Sequence, residues 1–284
     1  MSGDAIPATP RPTGGPGVTR FATRGGHRLS YESSGAADGI PILGLHDLLA
    51  DRGQLRPLTD ALPPDRYRLT LPDARGHGAS PMISGRAHFT HELVADALAV
   101  LDAEGLAHVH IAAIGWGAGA ALGLALLAPE RVASLVLAEP FLPALSGDDE
   151  MLETLRHAAD AAEKGQTDRA LDLYLGMRLH LGWRDELPKA RLGAMRRAAG
   201  SLAPLLAGTI NASVDRTAIV RLGTPVTLLV TNKTPGIEQE LAVVLTELLE
   251  GASVKTVSVA GSESPSGPDW ALAVSGALLT QSGA

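Results

Sequence analysis

The chain has 284 residues, 45% hydrophobic and 19% charged, which is enough apolar material for one large folded unit or one unit carrying an insertion. A formal charge of −7 and a pI near 5.7 argue against nucleic acid as a partner, because phosphate binding needs clustered Lys and Arg. The absence of cysteine excludes disulfides, thiolate nucleophiles and Cys-ligated metals, and no window holds the roughly eighteen apolar residues that span a bilayer.

Residues 1–17, "MSGDAIPATPRPTGGPG", are rich in Pro and Gly and lack a signal-peptide apolar run, so they are expected to be a disordered tail. A cytoplasmic protein without membrane contact is expected. Short apolar runs follow at Val18 to Thr23, His27 to Glu32, Ile40 to Leu45, Arg68 to Leu71, His108 to Ile114 and Ala133 to Glu139. Their later members are rich in Leu and β-branched residues, as suits strands buried on both faces. Helical patterns at Gln54 to Leu62, Glu92 to Glu104 and Ala118 to Leu127 alternate with them, which predicts an α/β fold with a mostly parallel sheet. From Phe141 to about Val214 the strand signal stops, and amphipathic helices are expected near Glu150 to Glu163, Asp168 to Leu179, Pro188 to Ala199 and Leu202 to Leu206. This block reads as a helical cap, residues 141–214, inserted after the sixth strand into a core of residues 18–140 and 215–284. Strands return at Pro225 to Thr231 and Ser253 to Val259, with helices at Glu238 to Leu249 and Trp270 to Leu279.

Three motifs in series carry a family resemblance. "ILGLHDLLADRGQLRPLTDAL" is similar to a strand and His-Gly loop ahead of a first helix, with Asp47 where the glycine belongs. "YRLTLPDARGHGAS" resembles a Pro-Asp-x-Arg-Gly-x-Gly-x-Ser turn on Pro72, Asp73, Arg75, Gly76, Gly78 and Ser80. "IGWGAGAALGLALLAPERVASLVLAEP" resembles a nucleophile elbow, its helix, a Pro-Glu-Arg-Val turn and the next strand. Together they resemble the α/β-hydrolase superfamily from about Val18 onward.

That resemblance implies a nucleophile, an acid and a histidine in chain order, and the residues present depart at each. The glycine spacing of Gly115-Trp116-Gly117-Ala118-Gly119 puts the nucleophile position on Gly117. The base position falls in "VAGSESPSGPDW", with Ser262, Glu263 and Ser264, and the last histidine of the chain is His180. The usual acid position reads "NKTPG". Glu139, after the sixth strand, matches the alternative acid place of the haloalkane dehalogenases.

Asp47 is expected either to hydrogen-bond its own loop or to aim a carboxylate into the vacated pocket, where burial would make it an acid or base. Its tolerance of left-handed backbone would preserve the turn. Backbone amides of Leu48 and Ala118, with that of Gly119 at the helix N-terminus, are the expected anion or carbonyl donors. Trp116, ahead of the elbow centre, either packs as core or walls a pocket. The chain has three residues each of Trp, Tyr and Phe, so Trp116, Phe141, Tyr174 and Trp183 in or beside the cap suggest an apolar cleft, a pattern that core packing of the cap on the sheet explains equally well. His46 reads as structural and His77 as exposed. His157 and His180 form no metal motif, and Lys189, Arg191, Arg196 and Arg197 read as a solvated face that an anionic ligand would also suit.

The expected function is therefore that of a non-hydrolytic, small-molecule-binding member without a triad, taking a small apolar ligand and using no cofactor and no metal. The alternatives are a lyase, isomerase or cyclase working through Asp47 or Glu139, and a weak residual esterase. The ligand site is expected at His46, Asp47, Leu48, Trp116, Gly117, Ala118, Glu139 and Phe141.

Overall fold

A computed structural model describes residues 17–83, 90–179, 182–187, 189–212, 214–258 and 268–281. Its centre is one eight-stranded sheet: β1 (Val18–Arg24), β2 (His27–Gly35), β3 (Ile40–Leu45), β4 (Tyr67–Pro72), β5 (Val109–Ile114), β6 (Val132–Ala138), β7 (Val226–Thr231) and β8 (Ser253–Val257). Their order is β1-β2-β4-β3-β5-β6-β7-β8. The hairpin β1/β2 and the β2/β4 pair are antiparallel, and every later pair is parallel.

The alternation of side chains along the parallel strands divides the core in two. Ile111 and Ala113 of β5 point to the face that carries α2 (Thr90–Glu104), α3 (Gly117–Leu127) and α10 (Gly236–Leu248). Ala112 and Ile114 point to the face that carries α1 (Arg56–Ala61) and α11 (Pro268–Gln281). Between β6 and β7 the chain forms α4 (Asp149–Glu163), α5 (Thr167–Arg178), α6 (Trp183–Glu186), α7 (Lys189–Ala198) and α8 (Leu202–Ile210), and α9 (Arg216–Val220) leads into β7. Asp148 caps α4 by accepting the Met151 amide at 3.0 Å, and Asp149 and Glu150 in the first turn favour the same end electrostatically.

Helix α3 is apolar on every side because it lies sandwiched, and its small residues permit close approach. A Cβ on Gly117 would stand 2.7 Å from the His46 carbonyl oxygen and 2.8 Å from that of Leu45; one on Gly123 would stand 2.8 Å from Val94 of α2. These contacts bring the start of α3 directly against the loop after β3, which is what assembles the site.

No helix among the described residues is long and apolar enough to cross a membrane. The expected tail, except Gly17, His180, and the segment 259–267 that holds Ser262, Glu263 and Ser264 lie outside the described residues.

Candidate functional site

The elbow is present, but its centre is not where the glycine spacing placed it. Strand β5 ends at Ile114, and the next residue, Gly115, takes a φ of +51° while Gly117 is the first residue of α3 with no left-handed backbone. The strained position that a nucleophile elbow creates is therefore Gly115 rather than Gly117, and Trp116 follows it rather than preceding the centre. The strand end marks the position: the residue directly after the last buried strand residue is the one the chain must reverse on. Gly117 is a glycine for a different reason, its contact with the carbonyls of Leu45 and His46.

A Cβ on Gly115 would lie 2.4 Å from the carboxyl carbon of Asp47. The space of a nucleophile side chain is thus filled by the Asp47 carboxylate, which reaches it from the loop after β3. Oδ1 of Asp47 accepts the backbone amides of Leu48 and Trp116, both at 2.8 Å. In place, these two amides, one from the loop after β3 and one from the residue after the elbow centre, correspond to the oxyanion-hole donors that the resemblance implies. The Leu48 amide is one of them; the Ala118 amide is not. The Ala118 and Gly119 amides instead donate to the Gly115 and Trp116 carbonyls, at 3.2 and 3.1 Å, within the first turn of α3. Asp47 itself keeps ordinary backbone; the left-handed residue of its loop is Leu49, at φ +64°. Asp47 thus bonds its own loop, and its carboxylate lies against Gly115.

The other oxygen of Asp47 is bound by a residue that sequence inspection missed. Arg178, the last residue of α5, donates from one terminal nitrogen to Asp47 Oδ2 at 2.8 Å and to the Tyr174 hydroxyl at 2.7 Å, and from Nε to Glu238 Oε1 at 2.7 Å. Its guanidinium lies 4.4 Å from the centre of the Phe141 ring. Arg178 is only 7% exposed and Glu238 1%. Burial alone would lower the Arg178 pKa; Asp47, Tyr174 and Glu238 more than offset it and hold the group well above its ordinary value. Burial pushes the Glu238 carboxyl up, against the pull of Arg178. Glu238 opens α10 and Arg178 ends α5, so no local pattern connects them.

Glu139 has a φ of +46° directly after β6, and its Oε1 accepts the hydroxyls of Thr231 at 3.0 Å and Thr234 at 2.7 Å. It is buried against the loop after β7, where the family's usual acid would stand. The loop therefore keeps a carboxylate, supplied from the neighbouring strand and held by hydroxyls.

The two loop histidines are structural. His46 accepts the Ala74 amide on Nε2 at 2.9 Å and donates from Nδ1 to the Asp47 carbonyl at 2.7 Å. His77 is not exposed as expected but 1% accessible. Its Nε2 accepts the Leu49 amide at 3.0 Å, and its ring stands 5.1 Å from that of His46. The second motif closes around them: Asp73 accepts the amides of Arg52 and Ala79, and Arg75 forms a two-point pair with Asp96.

Burial, then the neighbouring His46, lowers the His77 pKa to about 3. An unfolded histidine binds its proton near pH 6.5, so the stability held by neutral His77 is complete above that pH and is lost as the pH falls towards 3. Between pH 6.5 and 5 this group alone is expected to remove stability with a slope that rises from about 0.7 towards about 1.4 kcal/mol per pH unit, and His77→Gln to flatten that slope. Urea midpoints across that range test it; an unchanged slope in the variant refutes the assignment.

Trp116 and Phe141 also border an apolar cavity of about 130 Å³ between α3, the turn at Leu142 to Leu145, and α8. The Trp116 indole donates to the Thr209 hydroxyl of α8 at 2.9 Å, so it both walls the cavity and ties the inserted helices to the elbow. Tyr174 packs edge-on to Phe141, with centroids 6.1 Å apart, and buried Trp183 instead carries Arg184 on its ring. Arg196 pairs with Asp168 on the surface and His157 with Glu153. Among the described residues no cluster of His, Asp and Glu is suited to a metal ion.

With this geometry in hand, comparison with known proteins is informative. A family model described as the α/β hydrolase fold matches residues 40–164. The thermophilic esterase from Thermogutta terrifontis superimposes with a TM-score of 0.73 at 20% identity, over 93% of this chain and 97% of that one. The enol-lactonase from Burkholderia xenovorans LB400 gives 0.70 at 18% identity, over 93% and 100%. These likenesses show the α/β-hydrolase fold. In sequence it is similar to the proline iminopeptidase of Neisseria gonorrhoeae, 33% identical over 117 residues, or 41% of this chain and 37% of that protein. It is also similar to the putative carbamate hydrolase RutD of Variovorax paradoxus, 34% identical over 109 residues, 38% and 41% of the two chains. Each match spans well under half of the relative's length.

Proposed function

We propose that this protein is a non-hydrolytic member of its superfamily that binds a small molecule. One observation carries the reading: the Asp47 carboxylate occupies the space of the nucleophile and accepts both oxyanion-hole amides. A tetrahedral oxyanion needs those donors free, and in hydrolases of this type one such donor is worth about a hundredfold or more in turnover. A carboxylate is itself a poor place to bring an ester carbonyl, because the charges developing in the reaction would face the fixed charge of Asp47. The weak-esterase alternative needs the same two amides and is disfavoured for the same reason. The names of the relatives point to hydrolysis, but likeness over part of the chain transfers the fold and not the site.

Turnover of p-nitrophenyl acetate at the rate of buffer, and no labelling by a fluorophosphonate probe, are the expected results. Stoichiometric labelling, or hydrolysis that disappears on heat denaturation, would refute the proposal.

A further inference from the structure

The geometry points to a binding site for a small apolar monocarboxylic acid, whose carboxylate exchanges with the Asp47 side chain and whose body enters the cavity behind Trp116 and Phe141. This inference rests on the non-hydrolytic reading and assigns its ligand class. Three donors from separate parts of the chain converge on one carboxylate: the amides of Leu48 and Trp116 and the guanidinium of Arg178. Such a set suits a carboxylate in charge and in spacing, and the chain demonstrates the fit by placing its own there. The Asp47 side chain is 14% exposed, against 9% for Arg178 and 1% for Glu238, so the internal carboxylate is the most accessible member of the cluster.

A second observation gives the ligand its apolar body. Trp116 and Phe141 belong to both places: the Trp116 amide holds Asp47 and the Phe141 ring faces Arg178, while both residues border the cavity of about 130 Å³ whose other walls include Leu142, Leu145 and Ile219. A neutral ligand would gain the cavity alone; a carboxylate gains the cavity and the donors.

Benzoate and its neutral analogue benzyl alcohol separate these cases in calorimetric titrations of the full chain. The wild type is expected to bind benzoate more tightly than benzyl alcohol. Asp47→Gly removes the internal competitor, so benzoate affinity is expected to rise roughly tenfold or more while that for benzyl alcohol stays within about threefold. Asp47→Asn keeps the side-chain shape if the glycine variant fails to fold, and roughly a threefold gain for benzoate is expected there, since the competitor has lost its charge. Equal benzoate affinity in the wild type and the folded variants, or equal affinity for benzoate and benzyl alcohol, overturns the proposal. Fluorophosphonate labelling would overturn the non-hydrolytic reading instead, so the two failures are distinguishable.

Discussion

Gly115→Ser is expected to destabilise the protein by several kcal/mol and to leave it without hydrolytic activity. The backbone at position 115, at φ +51°, costs a residue with a Cβ about 1–3 kcal/mol. The larger effect is collision. The new Cβ meets the Asp47 carboxylate at 2.4 Å, so either the elbow deforms or Asp47 leaves its two amides and Arg178. Adding Asp47→Gly removes the obstacle, so the double variant is expected to be more stable than the sum of the single effects predicts, by about 1–3 kcal/mol. Urea denaturation of the four proteins measures this coupling, and strict additivity would show that Gly115 and Asp47 are independent. The double variant still has no histidine after His180, so ester turnover is expected to remain at background.

Arg178→Met is expected to cost about 3–5 kcal/mol at neutral pH, because it leaves the buried Glu238 and the half-buried Asp47 without the cation they share. The sign of its pH dependence is distinctive. Without Arg178 the buried Glu238 carboxyl is harder to ionise in the folded state than in the unfolded chain, so the variant gains stability, relative to wild type, as the pH falls and protonates it. Its deficit in melting temperature is therefore expected to shrink between pH 7.5 and 5. Arg178→Lys retains the charge but not the planar fork that serves Asp47, Tyr174 and Glu238 together, and is expected to recover only part of the loss. A deficit that stays constant with pH would mean that Arg178 contributes packing rather than charge.

Much of this site was legible one residue at a time. Asp47 stood out as the departure from a His-Gly loop, and Glu139 as a carboxylate after β6. Trp116 and Phe141 stood out as two of few aromatic residues, and His46 as a structural histidine; the structure brings Asp47, Leu48, Trp116 and Phe141 together. Glu139 is placed separately, against Thr231 and Thr234. The register of the elbow was not legible, because Gly115, Gly117 and Gly119 satisfy the same alternating pattern and spacing alone cannot tell which one takes the left-handed turn. His77 was misjudged for a related reason: a histidine in a polar turn looks exposed until the loop after β3 folds over it and its Leu49 amide claims the ring nitrogen.

What the amino-acid order determined by itself was the layered α/β sheet with helices between β6 and β7, since hydrophobic periodicity and turn residues act over a few positions. It also determined that no histidine follows His180. What only the tertiary structure decided was what surrounds Gly115. Arg178 is separated from Asp47 by 131 positions and from Glu238 by 60, and nothing in the local sequence of α5 distinguishes it from a surface arginine. Its role follows from where the sheet and the inserted helices bring three chain segments to one point. Only there does one guanidinium meet two carboxylates in a low-dielectric setting, where leaving any of them unpaired is costly.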